Sequence, residues 1–339
     1  MADKIIPNWC RMVCGDNCKL PDEQLYLDKK LNIATKYGNV LPRNPRNAFG
    51  TVWFDGDRFR LYWCDFKNVY LSFSDDGLNW KSTIPVLFGE NEPDDWDNGI
   101  DCASVFKDGA MWYMLYRGHY FNGVPNLWPH YAIGLASSFD GITWFKCPDN
   151  PVMQPDENSW DGQYQKNDIA APFDPWGIIK IKQIYCLWFN SENPDTCRTT
   201  GLAYSEDLVH WRRDERNPIF VNGRFCVCPF KIGAYYYLIV TAGGFKRDGT
   251  ARFELYKDRY PTFYPEDREF LGTILNCGEE GSFDEIYIDA PSVLMNDIYG
   301  HPVISDGKLR LYYTGEARPV SSWSHGMAYL DTGKLFREG

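Results

Sequence analysis

Three things are scarce in this chain, and each scarcity removes a class of function. No apolar run approaches the roughly 20 residues that a membrane-spanning helix needs, so no membrane partner is expected. Basic clusters are missing too: Asp and Glu outnumber Lys and Arg by 46 to 35, for a formal net charge of −11. A surface for nucleic acid or anionic lipid would show a basic patch, so no nucleic-acid partner is expected. The opening Met1-Ala2-Asp3-Lys4 leads into no hydrophobic segment followed by small residues. A cytoplasmic location without a secretory leader is therefore the expectation. Convincing helical periodicity is absent as well, which turns attention to strands.

Cysteine is abundant, with 11 among 339 residues. The odd count forbids complete pairing within one chain, and a reducing compartment keeps thiols free. Cys10, Cys14 and Cys18 are spaced four apart, but no fourth Cys or His lies nearby and the paired C-x2-C spacing of metal sites is missing. Free thiols are expected, with neither metal nor cofactor. Hydrophobic residues make up 44% of the chain and aromatics 17%. That composition excludes a disordered chain and supplies a large core. Aromatics favour strands, and their flat faces also suit stacking on sugar rings.

Internal repetition decides the architecture. One unit recurs: an apolar strand, an Asp-Gly turn, an aromatic-rich strand, a small-residue strand, a second turn, and a Trp before a last strand. The clearest copy runs from Ala103-Ser104-Val105-Phe106-Lys107-Asp108-Gly109 through Met111-Trp112-Tyr113 to Ile133-Gly134-Leu135-Ala136-Ser137-Ser138 and Asp140-Gly141-Ile142-Thr143-Trp144. Asp-Gly between alternating apolar runs is a strong hairpin signal. The closing tryptophans Trp80, Trp144 and Trp211 recur about every 65 residues. First strands are also expected to open at Thr51-Val52-Trp53-Phe54, Ala170-Ala171-Pro172-Phe173, Val227-Cys228-Pro229-Phe230 and Pro291-Ser292-Val293-Leu294. Units of about 60 residues, short strands and frequent turns predict an all-β, five-bladed β-propeller with four-stranded antiparallel blades around a central channel. Residues 46–339 form that single domain, and residues 1–45 pack on the ring or close it.

Equivalent positions of a propeller converge on its channel, so acidic residues at one repeat position carry chemical meaning. Counting back from the repeated apolar core places Asp101, Asp168 and Asp289 at one position, with Ala48 and Phe225 in the other two blades. Like charges aimed into one cleft repel each other and raise a pKa. That arrangement suits the general acid and carboxylate base of glycosidic bond cleavage. The acids of Trp96-Asp97, Trp160-Asp161 and Phe283-Asp284 are read instead as turn and cap residues bonded to backbone amides. Second strands should end at the same mouth, which makes Arg117, His119, Glu316 and Arg318 candidates for substrate hydroxyls or an anion. Trp128 and Trp323 fall in insertions after those strands, where aromatic faces can wall a sugar pocket.

The Ser-Val-Phe-x-Asp-Gly, Met-x-Tyr, Ile-Gly-Leu-Ala-Ser-Ser and Asp-Gly-x-x-Trp segments resemble those of the five-bladed propeller glycosidases, which include glycoside hydrolase families 32, 43, 68, 117 and 130. The likeness covers about residues 46 to 330. It implies a glycoside hydrolase acting on an oligosaccharide or glycoconjugate. By blade position it implies Asp168 as general acid, Asp101 as the supporting acid, and Asp289 as base or sugar-binding carboxylate. The sequence departs from the family in three ways: Asp101 and Asp168 lack the Asp-Pro that often precedes the apolar core, Ala170 stands where the third-blade Glu is usual, and Asn44-Pro45-Arg46-Asn47-Ala48 only echoes the first-blade acid motif. A missing base suits a phosphorylase, in which phosphate is the nucleophile. A glycosyltransferase and a non-catalytic carbohydrate-binding propeller are also compatible with the fold.

Overall fold

The computed structural model describes residues 29–44, 48–90, 95–119, 131–163, 172–193, 197–244, 247–319 and 322–335. Asp168 and Trp128 lie outside the described residues. The short apolar runs become strands because each is bounded by a tight turn and rich in β-branched and aromatic residues. The first blade is β2 (Ala48–Phe54), β3 (Phe59–Cys64), β4 (Asn68–Ser74) and β5 (Lys81–Phe88). The second is β6 (Gly99–Asp108), β7 (Met111–His119), β8 (Tyr131–Ser138) and β9 (Phe145–Lys146). The third is β10 (Asp174–Ile181), β11 (Ile184–Asn193), β12 (Cys197–Ser205) and β13 (Arg212–Arg213). The fourth is β14 (Arg224–Ile232), β15 (Tyr235–Ala242), β16 (Arg252–Asp258) and β17 (Glu269–Asn276).

The fifth blade runs β18 (Tyr287–Val293), then β20 (Lys308–Ala317) with the short β19 (Ile304–Ser305) beside it, then β21 (Ser322–Asp331). Its outer strand is β1 (Ala34–Asn44), which pairs antiparallel with β21 from Ala34↔Leu330 to Asn44↔Trp323. The first and last strands thus share one sheet, which clasps the ring shut. Each innermost strand packs against that of the next blade, round to β18 against β2. Every pairing within the blades is antiparallel. The result is the predicted five-bladed propeller.

Adjacent blades are tied by the repeated turn. Ser138 Oγ accepts the Gly141 amide at 2.9 Å, and Asp140 Oδ1 accepts the amides of Ile142 and Thr143 at 2.7 and 2.8 Å. The same bonds recur at Ser74–Asn79 and Ser205–His210. A turn held this way exposes its carbonyls to the neighbouring blade. Tyr62 Oη donates to the Gly141 carbonyl and Arg60 Nη1 to that of Asp140, at 2.9 and 2.7 Å. Tyr312 and Arg310 of the fifth blade repeat this on Gly77 and Asp76 of the first.

Candidate active site

Ladder registers identify one ring of equivalent positions on the first and second strands. They are Ala48 opposite Cys64, Asp101 opposite Arg117, Asp174 opposite Asn190, Phe225 opposite Thr241, and Asp289 opposite Thr314. A register shift follows each pair directly in four blades and one pair later, after Pro175↔Phe189, in the third; such bulges re-aim side chains at a sheet edge. In the third blade the expected residue, Asp168, lies outside the described residues, and Asp174 occupies the ring position. Among the described residues the inner strand of the third blade begins at Asp174, which stands in register with Asp101 and Asp289. A signal for this lay in the sequence: Asp174-Pro175 directly precedes the apolar Trp176-Gly177-Ile178-Ile179.

Second-strand side chains reach sideways to the next blade. Arg117 grips Asp101 of its own blade with Nε and Nη2, the latter at 2.5 Å, and bonds Asp174 of the third blade through Nη1. Asn190 Oδ1 accepts the Cys226 amide of the fourth blade at 3.1 Å. Thr241 Oγ1 donates to Asp289 Oδ1 of the fifth at 3.1 Å, and Asp289 Oδ2 accepts the Tyr287 hydroxyl at 3.2 Å. All three carboxylates are buried.

Burial works against the charge on Arg117, but Asp101 and Asp174 carry its pKa well above the usual guanidinium value. Burial raises the pKa of Asp174, with Arg117 opposing the shift. The second oxygen of Asp174 has no hydrogen bond to any described residue. A buried carboxyl with a raised pKa and one oxygen open has the properties of a proton donor. Asp101 differs: both its oxygens are taken by one guanidinium.

Two residues further along the second strands lies another tier: His119, Glu192 and Glu316, opposite Tyr131, Arg198 and Trp323 on the third strands. His119 is buried, with Nδ1 3.7 Å from Asp101, and burial holds its pKa below the ordinary imidazole value. Arg117 stacks on the Tyr131 ring at 4.6 Å, and burial pushes the Tyr131 hydroxyl up to about 12. Arg198 lies 4.5 Å over Phe225 and 3.9 Å from Glu192. Glu316 accepts from Arg247 Nη1 at 2.6 Å, and the Arg247 guanidinium stacks 3.7 Å from Tyr287 and 4.8 Å from Trp323.

Of the candidates read from sequence, Asp101, Arg117, His119, Asp289, Glu316 and Trp323 come together here. Arg318 does not join them; it sits on the rim, 76% exposed, beside Glu285. Trp323 is buried and meets Tyr287 edge-on at 6.0 Å, so it supports Arg247 and Tyr287 instead of offering an open sugar platform. Asp174, Arg198, Arg247 and Tyr287 are not apparent as site residues in the sequence, whereas Glu192 is visible there only as the end of a second strand. The sequence shows Arg and Glu in loops and at strand ends, but only the strand register shows that they face one another.

Asp97, Asp161 and Asp284 are held by structural partners: Asp161 Oδ1 accepts the Asp156 amide at 3.2 Å, as expected of a turn residue, and side chains bond all three. Asp97 accepts the Tyr116 hydroxyl at 3.0 Å and Asp284 that of Tyr313 at 3.0 Å, while Lys146, Arg213 and Lys36 supply the cations for the three. The aromatic residue before each acid packs on a second-strand ring, Trp96 on Tyr116, Trp160 on Phe189 and Phe283 on Tyr313. Gly134, Gly201 and Gly326 make room for those pairs. Among the described residues six cysteines are free, and no cluster of His, Cys, Asp and Glu could hold a metal.

This ring of blades is also found in solved glycoside hydrolases. One structure described as a glycoside hydrolase superposes with a TM-score of 0.64 at 17% identity, covering 93% of this chain and 96% of that one. A family 117 glycoside hydrolase from the marine bacterium Zobellia galactanivorans gives 0.63 at 13% identity, over 88% and 90% of the two chains. The catalytic domain of a family 62 α-L-arabinofuranosidase from Coprinopsis cinerea gives 0.63 at 12% identity, over 88% and 97%. No protein-family model matches the sequence, and no curated protein matches it. Likeness at these identities establishes the fold; function rests on the site.

Proposed function

We propose that the chain is a glycoside hydrolase working at the mouth of the propeller channel on an oligosaccharide or glycoconjugate. The observation that carries this reading is the register of Asp101, Asp174 and Asp289 on three inner strands at one level of one channel. Asp174 gives its proton to the departing glycosidic oxygen. Asp289, across the ring and held by Thr241 and Tyr287, serves the opposite face as base or nucleophile. Asp101 positions Arg117, which in turn fixes Asp174. The general acid must be protonated, so turnover falls as pH rises through the elevated pKa of Asp174.

The test is hydrolysis of a panel of aryl glycosides and oligosaccharides by the wild type and by Asp174→Asn, Asp289→Asn and Asp168→Asn proteins. The expected outcome is a loss of roughly 100-fold or more in kcat for Asp174→Asn and Asp289→Asn. Full activity in Asp174→Asn together with loss in Asp168→Asn would return the acid to the segment before β10. A phosphorylase is the second reading, favoured by the gathering of Arg117, Arg198 and Arg247 around the carboxylates; turnover that requires added phosphate would select it.

A further inference from the structure

Within the proposed site, cations face outward and carboxylates lie beneath them. The side chains of Glu316 and Arg247 are 0% and 19% exposed, and those of Glu192 and Arg198 are 6% and 11%. Asp101 is likewise covered by Arg117. A ligand entering the mouth therefore meets guanidinium groups first, although acids are more numerous in the site.

Arg247 is the most developed of these groups. Its guanidinium plane is fixed by the rings of Tyr287 and Trp323, and Nη1 is committed to Glu316. Its Nε and Nη2 donate to no described residue. A planar fork held on aromatic faces with one edge open is preorganised for a carboxylate or phosphate oxygen pair. It is adjacent to the chemistry, because the ring it stacks on donates its hydroxyl to Asp289. Arg198 of the third blade lies over Phe225 at 4.5 Å, and both arginines oppose the rise in the Tyr287 pKa that burial and Asp289 impose.

We infer that the sugar bound beside Asp289 carries an anionic group, a carboxylate as in a uronic acid, and that Arg247 receives it with Arg198 behind. This rests on the glycosidase reading for the bond that is cleaved, but not for the binding itself. Two measurements keep the failures apart. The first is calorimetric titration of the full chain with glucuronate- and galacturonate-containing oligosaccharides and with their neutral counterparts, in which the carboxylate is a hydroxymethyl group. The second is turnover of matched aryl uronides and neutral aryl glycosides.

Tighter binding of an acidic member, weakened roughly ten- to 100-fold in Arg247→Gln and partly restored in Arg247→Lys, is the expected result. It would stand even if no glycoside were cleaved, in which case only the glycosidase reading would fail. Where turnover is seen, the acidic-to-neutral ratio of kcat/KM should drop by a similar factor in Arg247→Gln. Cleavage of neutral glycosides with no preference for the acidic partners would overturn the inference and leave the glycosidase reading intact; titration in which inorganic phosphate but no uronide binds at Arg247 would overturn it and favour the phosphorylase reading. Circular dichroism of each variant confirms that a loss reflects the missing guanidinium and not a collapsed blade.

Discussion

Arg117 is the residue on which the candidate site depends most. It lies between two buried carboxylates of different blades, so removing it leaves like charges facing each other without a cation. Arg117→Met should lower the unfolding free energy by about 3–5 kcal/mol in a urea titration. Adding Asp101→Asn to that variant should recover part of the loss, because one of the stranded charges is then gone. Recovery by the second substitution is what separates charge stranding from lost packing volume. Asp101, Arg117 and Asp289 could be named from the sequence because their repeat position is visible in the flanking apolar core. Asp174 was hidden by a competing pattern: Ala170-Ala171-Pro172-Phe173 looks like the opening of a strand, whereas the ladder pairs Asp174, four residues past Ala170, with Asn190.

At the scale of elements, the repeated Ser-x-Asp-Gly turn serves as an inter-blade clasp. Gly141 adopts φ +71°, and a Cβ there would stand 2.7 Å from both Arg60 Nη1 and Tyr62 Oη of the first blade. Gly109 has φ +58° in the hairpin between β6 and β7, with open space around it. Both positions strain an L-residue, but only the first also blocks a neighbour. Gly109→Ala should therefore cost about 1 kcal/mol, and Gly141→Ala about 1–2 kcal/mol more, in thermal or denaturant unfolding. Equal losses would show that the clasp does not hold the blades together. The turn itself was legible as a hairpin signal; that its carbonyls are read by Tyr and Arg of another blade was not, because the partners are about 80 residues away in blades one and two.

For the whole molecule, closure and the joint it creates set stability. β1 supplies the outer strand of the fifth blade and buries Val40 and Leu41. Deleting the chain through Asn44 should expose the β21 edge, lower the melting temperature and promote association, as read by calorimetry and size-exclusion chromatography. His325 lies at the same joint, opposite Leu41 on β1 and Thr314 on β20, with its ring against Gly50 of the first blade. Complete burial takes its pKa down to about 4. The unfolded chain binds a proton at His325 below about pH 6.5 while the folded chain stays neutral down to about pH 4. Its contribution is therefore complete above that window and shrinks by about 3 kcal/mol as pH falls through it. Ile133 and Phe253 hold the equivalent place in the second and fourth blades, so His325→Phe should flatten this part of the stability–pH curve.

The repeat alone determined the number of blades, the strand order within them and the level at which acids gather, because each follows from local alternation, turn chemistry and a period that recurs along the chain. What only the tertiary structure decided is which side chains meet. The third-blade acid, the guanidinium that joins Asp101 to Asp174, and the Arg247–Glu316 pair beneath the rim all depend on strand register and on contacts between blades distant in sequence. A shift of one residue turns a strand's side chains to the opposite face, and in the third blade the sequence offered two competing openings, Ala170-Ala171-Pro172-Phe173 and Asp174-Pro175, between which local pattern did not choose.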